Sequence, residues 1–110
     1  MRNSIITRVV TLFFILLGSS VFFSQTATIF GNVYDSKDYE FLIGVNIFNE
    51  NNIGTITDID GNFSLKLPVG KQKITFKYIG YQRIIREVFL KSNDSVKIEA
   101  ALNSITNQLD

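Results

Sequence analysis

The sequence predicts an all-β domain, a seven-stranded antiparallel Greek-key sandwich, standing behind an N-terminal signal helix. Three observations carry this expectation. Apolar side chains recur with period two from Thr26 onward. Clusters of turn-forming residues interrupt them at short intervals. The longest predominantly apolar run stands apart from both, at the front of the chain.

That leading run reads as an export signal. Arg2 and Arg8 flank a short polar start, and residues 9–23 are then apolar apart from Thr11 and the small Gly18-Ser19-Ser20 patch. The run is about 15 residues, whereas crossing a bilayer core takes about 20, so a cleaved signal is expected rather than a membrane helix. Gly18 with Ser20 forms one small-residue cleavage site and Ser24 another. Cleavage after Ser24 is preferred, giving a signal over residues 1–24, a domain over 25–102 and a tail over 103–110. No cysteine follows the run to carry a lipid.

The strands follow in order. The first lies near Ala27 to Tyr34, and a polar loop from Asp35 to Glu40 leads to a second near Gly44 to Asn49. A turn at Glu50-Asn51-Asn52 introduces a short strand near Gly54 to Thr57. Phe63, Leu65 and Leu67 alternate with Ser64 and Lys66, and Ile74, Phe76 and Tyr78 alternate with Thr75 and Lys77. Residues 82–90 supply a sixth strand. In the last, Val96, Ile98, Ala100 and Leu102 alternate with Ser95, Lys97, Glu99 and Ala101. The turns Asp58-Ile59-Asp60-Gly61, Pro68-Val69-Gly70 and Lys91-Ser92-Asn93-Asp94 read as links between consecutive antiparallel strands.

Composition excludes much chemistry. The chain has no cysteine and no histidine, which removes disulfides, a thiolate nucleophile, an imidazole base and most transition-metal ligand sets. Of eleven basic residues, Arg2 and Arg8 belong to the leader. The nine that remain face ten acidic residues, a net charge of −1, and they are scattered singly. No basic face for nucleic acid follows from this balance.

The order of turns and apolar pairs is more specific than a generic sandwich. Ile29-Phe-Gly-Asn-Val-Tyr-Asp35, Leu42-Ile-Gly-Val-Asn-Ile47, Gly54-Thr-Ile-Thr-Asp-Ile-Asp-Gly-Asn-Phe-Ser-Leu65 and Tyr78-Ile-Gly-Tyr81 resemble the signature of the carboxypeptidase-regulatory-like domain. Its characteristic positions here are Gly31, Asp35, Gly44, Val45, Gly54, Thr57, Asp58, Asp60, Gly61, Phe63, Tyr78, Gly80 and Tyr81. Phe41-Leu42 replaces the family's frequent Pro-Leu. The resemblance implies an immunoglobulin- or transthyretin-like sandwich without catalytic residues or cofactor, found at the periplasmic N-terminus of TonB-dependent outer-membrane receptors in nutrient import. Its implied partners are the receptor's plug and barrel or a TonB-type envelope protein. Residues 105–110 resemble the stretch leading toward a TonB box, so the chain is read as a fragment or truncated copy of such a receptor. Two other readings stay open: a stand-alone secreted module binding a surface glycan or protein, and a regulatory appendage of a peptidase.

Asp58, Asp60 and Asn62 superficially resemble the start of a calcium loop. An EF-hand loop needs Gly at position 6 and Glu at position 12, where Phe63 and Val69 stand, so a hairpin turn capped by Asp58 with Gly61 at positive φ is expected instead. No spacing nominates a pair of catalytic carboxylates, and no metal site is expected. Gly80 is expected to allow a bulge or bend, with positive φ or at a close approach of two backbones, and Tyr81 to send its hydroxyl to a backbone partner. Gly31, on the pleat of Ile29 and Val33, is expected to have ordinary strand backbone. Phe30, Tyr34 and Phe48 occupy the opposite pleat from Ile29, Val33 and Ile47, which predicts an aromatic stripe on one sheet, covered by a neighbouring segment or open for docking.

Overall fold

The computed structural model describes residues 5–9 and 25–105. Residues 5–9 form a helical turn, and among the described residues no helix is long and apolar enough to cross a membrane. The expected cleavage point after Ser24 and the tail residues 106–110 lie outside the described residues.

Seven strands make the domain: β1 (Thr26–Asp35), β2 (Asn46–Phe48), β3 (Gly54–Ile56), β4 (Asn62–Pro68), β5 (Gly70–Lys77), β6 (Ile84–Leu90) and β7 (Ser95–Leu102). They form a three-stranded sheet in the order β4-β1-β7 and a four-stranded sheet in the order β3-β2-β5-β6. β1, β2, β4, β5 and β7 place apolar side chains between the sheets, whereas β3 buries none and β6 only Leu90. Ile29 and Val33 of β1, Ile47 of β2, Leu67 of β4, Ile74 and Phe76 of β5, and Ala100 and Leu102 of β7 are all sealed from solvent. Burying one such large side chain contributes about 1.5–3 kcal/mol, so a chain without disulfides is held by this layer. Across it, Phe63 meets Phe76 edge-on, with ring centroids 5.9 Å apart at 75°.

Pairing is antiparallel throughout except between β1 and β7, which run parallel from Thr28↔Ser95 to Asp35↔Leu102. The reason lies in the connections. Each reverses the chain, so odd-numbered strands run one way and even-numbered strands the other, and the two odd strands that meet are parallel.

Three expectations need correction here. The turns at 58–61, 68–70 and 91–94 are not hairpins between paired strands. They carry the chain from one sheet to the other, and only the β2–β3 and β5–β6 connections join strands that pair. The aromatic stripe is split between the sheets, because Phe30 and Tyr34 belong to β1 and Phe48 to β2. Gly31 is not ordinary backbone: its φ is +154°, and a Cβ there would overlap the carbonyl oxygen of Ile98, its parallel partner, and lie 2.7 Å from that carbonyl carbon. β1 and β7 approach so closely at this pair that only glycine fits.

Candidate functional site

Five of the signature residues, Asp35, Gly44, Tyr78, Gly80 and Tyr81, converge at one end of the sandwich. Asp35 ends β1 on the buried pleat, and its Oδ1 accepts hydrogen bonds from the amides of Lys37 (2.8 Å) and Asp38 (3.3 Å). Its Oδ2 accepts the Tyr81 hydroxyl at 2.7 Å. The expectation of a backbone partner for Tyr81 is thus corrected: the hydroxyl finds a carboxylate in the other half of the sandwich, because the buried end of β1 presents an acid that needs a second donor. Tyr81 lies 5.5 Å from Tyr78, ring centroid to centroid, and the Tyr78 ring stands over Gly44.

The Asp35–Tyr81 bond perturbs both groups. The Tyr81 hydroxyl, then the Lys37 amide, hold the Asp35 carboxyl below its ordinary value against the opposing cost of burial. The same bond, helped by desolvation and the negative charge of Asp35, pushes the Tyr81 phenol up to about 12. A phenol this weakly acidic is a poor proton donor, and a carboxylate this well solvated by donors is a poor base. The pair therefore serves as a latch.

Gly80 does have positive φ, +83°, in a β-turn closed by the Tyr81 amide on the Tyr78 carbonyl (3.1 Å). The chain's exit is tied to this turn. Ile105 donates its amide to the Gly80 carbonyl at 2.8 Å, Gln82 donates to the Asn103 carbonyl at 2.8 Å, and the Ser36 hydroxyl donates to the Asn103 side chain at 2.5 Å.

The other signature residues hold the crossovers. Thr57 is buried, donates its hydroxyl to the Leu42 carbonyl at 2.6 Å and accepts the Val45 amide at 2.9 Å. Asp58 caps the next turn, its Oδ1 accepting the amides of Asp60 and Asn62, both at 2.9 Å, while Gly61 takes φ +75° as expected. Gly61 sits against Phe41 Cβ and the Val33 carbonyl, Gly54 against the β2 backbone, and Phe63 in the core. Among the described residues no three carboxylates gather where a cation would be held.

Two features were not singled out from the sequence. Asn49 and Gln72 are buried and bonded to each other at 3.0 Å, and Gln72 also donates to the Pro68 carbonyl at 3.0 Å. Their signal was parity: Asn49 shares the pleat of Val45 and Ile47, and Gln72 that of Ile74 and Phe76. The second is a shallow depression of about 250 Å³ on the outside of the β4-β1-β7 sheet, lined by Asn32, Tyr34, Tyr39, Phe41 and Glu99.

A two-sheet β-sandwich whose buried polar side chains are hydrogen-bonded, and whose signature residues shape turns, defines the class of module. This chain belongs to the CarboxypepD_reg-like domain family, whose model matches residues 29–110. It is similar to the TonB-dependent receptor P3 of Formosa agariphila, with 30% identity over 105 residues, covering 94% of this chain and 10% of that receptor. The chain thus spans about a tenth of that relative's length. Among solved structures it resembles the TIE protein of Bacillus anthracis (21% identity, TM-score 0.57, 74% of this chain and 18% of that one). It also resembles 3-chlorocatechol 1,2-dioxygenase of Rhodococcus opacus 1CP (10% identity, TM-score 0.57, 76% and 61%). At such identities these two likenesses define the fold and nothing of the chemistry.

Proposed function

We propose that this chain is a non-enzymatic accessory domain acting in the periplasm at the N-terminal side of a TonB-dependent outer-membrane receptor, in nutrient import. The observation that carries the reading is the likeness to a TonB-dependent receptor along nearly the whole chain. The non-enzymatic part is supported by the use made of Asp35, Tyr81, Thr57 and Asp58, each engaged in holding backbone or a neighbouring side chain. The partners in this reading are the receptor plug and barrel or a TonB-type envelope protein. Residues 1–24 direct export and are removed after Ser24, and the exit at Asn103 to Ile105, fastened to the Gly80 turn, leads toward a TonB box.

The experiment is fractionation of cells producing the epitope-tagged chain, followed by amine cross-linking in the intact envelope. The expected result is an envelope-associated protein beginning at Gln25 and cross-linked to a receptor plug or a TonB-type protein. Recovery only from cytosol or medium, or cross-links to neither partner, overturns the reading.

A further inference from the structure

We infer that the depression formed by Asn32, Tyr34, Tyr39, Phe41 and Glu99 is a binding site for a neutral sugar ring. It is built where the loop after β1 folds back beside its own strand, with Phe41 bridging Tyr34. Tyr39 stacks on Tyr34 with centroids 6.0 Å apart and planes at 29°, yet leaves 70% of its surface to solvent, and Phe41 leaves 58%. Tyr39 has φ +62°, a conformation side-chain-bearing residues avoid, and it is kept there by its amide bonding the Asp35 carbonyl at 3.0 Å and by the Asp38 side chain accepting the Glu40 amide at 2.9 Å. Tyrosine and phenylalanine rings offer large, flat contact area at low conformational-entropy cost.

Polar groups stand beside the rings in register. Asn32 pairs directly with Glu99 across the β1–β7 ladder, placing an amide and a carboxylate on one outward row. A pyranose ring has an apolar C–H face that packs on an aromatic plane and an edge of hydroxyls that donate to a carboxylate and exchange hydrogen bonds with an amide. A cation, the other ligand suited to tyrosine faces, is disfavoured by the Lys97 ammonium, which stands 3.3 Å from Glu99 Oε1 beside the site. The openness of the site selects against a purely apolar ligand, which needs a dry, enclosed pocket.

This inference is independent of the receptor reading and is tested apart from it. The full chain lacks tryptophan, and two of its four tyrosines, Tyr34 and Tyr39, line the site, so a change there shows in tyrosine emission. It is titrated with cellopentaose and mannopentaose, with choline and an acidic galacturonan oligosaccharide as comparisons. Saturable change with a neutral oligosaccharide is expected, weakened at least tenfold in Tyr39→Gly and Phe41→Ala. Glycine at position 39 removes the ring while relieving the positive φ, so the far-ultraviolet dichroism and melting point of Tyr39→Gly hold or rise as binding is lost. No saturation by either neutral oligosaccharide, tighter binding of choline or galacturonan, unchanged affinity in both variants, or formation of a dimer through this face overturns the inference.

Discussion

At the scale of single residues, two glycines decide how the chain can pack, and they do so by different physics. At Gly31 the obstacle is backbone. A Cβ would overlap the Ile98 carbonyl oxygen, and only displacement of β7 makes room. At Gly80 there is open space around the added carbon, so the cost is that of positive φ alone, about 1–2 kcal/mol. Gly80→Ala is therefore expected to lower the chemical denaturation midpoint modestly. Gly31→Ala is expected to cost about 3 kcal/mol or more, since strain of φ and loss of the β1–β7 pairing add. Urea denaturation of the two variants checks the order, and a Gly31→Ala midpoint at or above that of Gly80→Ala would contradict the close approach of these strands. Sequence alone pointed to Gly80 because Gly80-Tyr81 breaks the strand alternation within the Tyr78-Ile-Gly-Tyr81 signature. It could not reveal Gly31, whose crowding comes from a strand 67 positions further on.

At the scale of elements, the strands were legible because a half-buried strand writes its pleat into the sequence, as in Phe63, Leu65 and Leu67 of β4. Which strands pair was not, because a capped turn such as Asp58 to Gly61 satisfies its own amides equally well whether the chain returns to its neighbour or crosses to the other sheet. Just before that turn stands Thr57. Its hydroxyl serves the half-buried Leu42 carbonyl and the buried Val45 amide on the segment leading into β2. Thr57→Val keeps shape but leaves both unpaired, and a loss of about 2–3 kcal/mol is expected. Thr57→Ser, which keeps the hydroxyl and loses one methyl, should cost about 1 kcal/mol. Equal midpoints for the two variants would mean that the methyl rather than the hydroxyl matters. The neighbouring turn is held by Asp58 through two amides, so chelator is expected to leave the thermal midpoint unchanged; a drop of several degrees would reveal a bound cation.

At the scale of the whole molecule, the Asp35–Tyr81 latch joins the end of β1 in one sheet to the turn between β5 and β6 in the other, beside the exit segment fastened to Gly80. Its two halves titrate in opposite directions, which makes stability depend on pH at both extremes. Asp35 has its carboxyl held below the ordinary 3.8, with the Tyr81 hydroxyl as the main cause, so the folded state favours the carboxylate. The stability this adds is full above about pH 3.8 and is lost as pH falls through the lowered value. Tyr81 is raised from 10.0 to about 12, chiefly by Asp35, so the folded state favours the neutral phenol. That contribution is full below about pH 10 and is lost as pH rises from 10 toward 12. Tyr81→Phe keeps the ring and removes the bond. The melting point of the parent should therefore exceed that of the variant by a constant margin between about pH 5 and 9, and the margin should shrink below about pH 3.8 and above about pH 10. Thermal melts of both proteins across this range measure it. A margin as wide at about pH 11 as at pH 7 would mean that the phenol stays protonated without Asp35's help or that its hydroxyl does not bind the carboxylate, and the two sheets would then be joined at this end by packing alone.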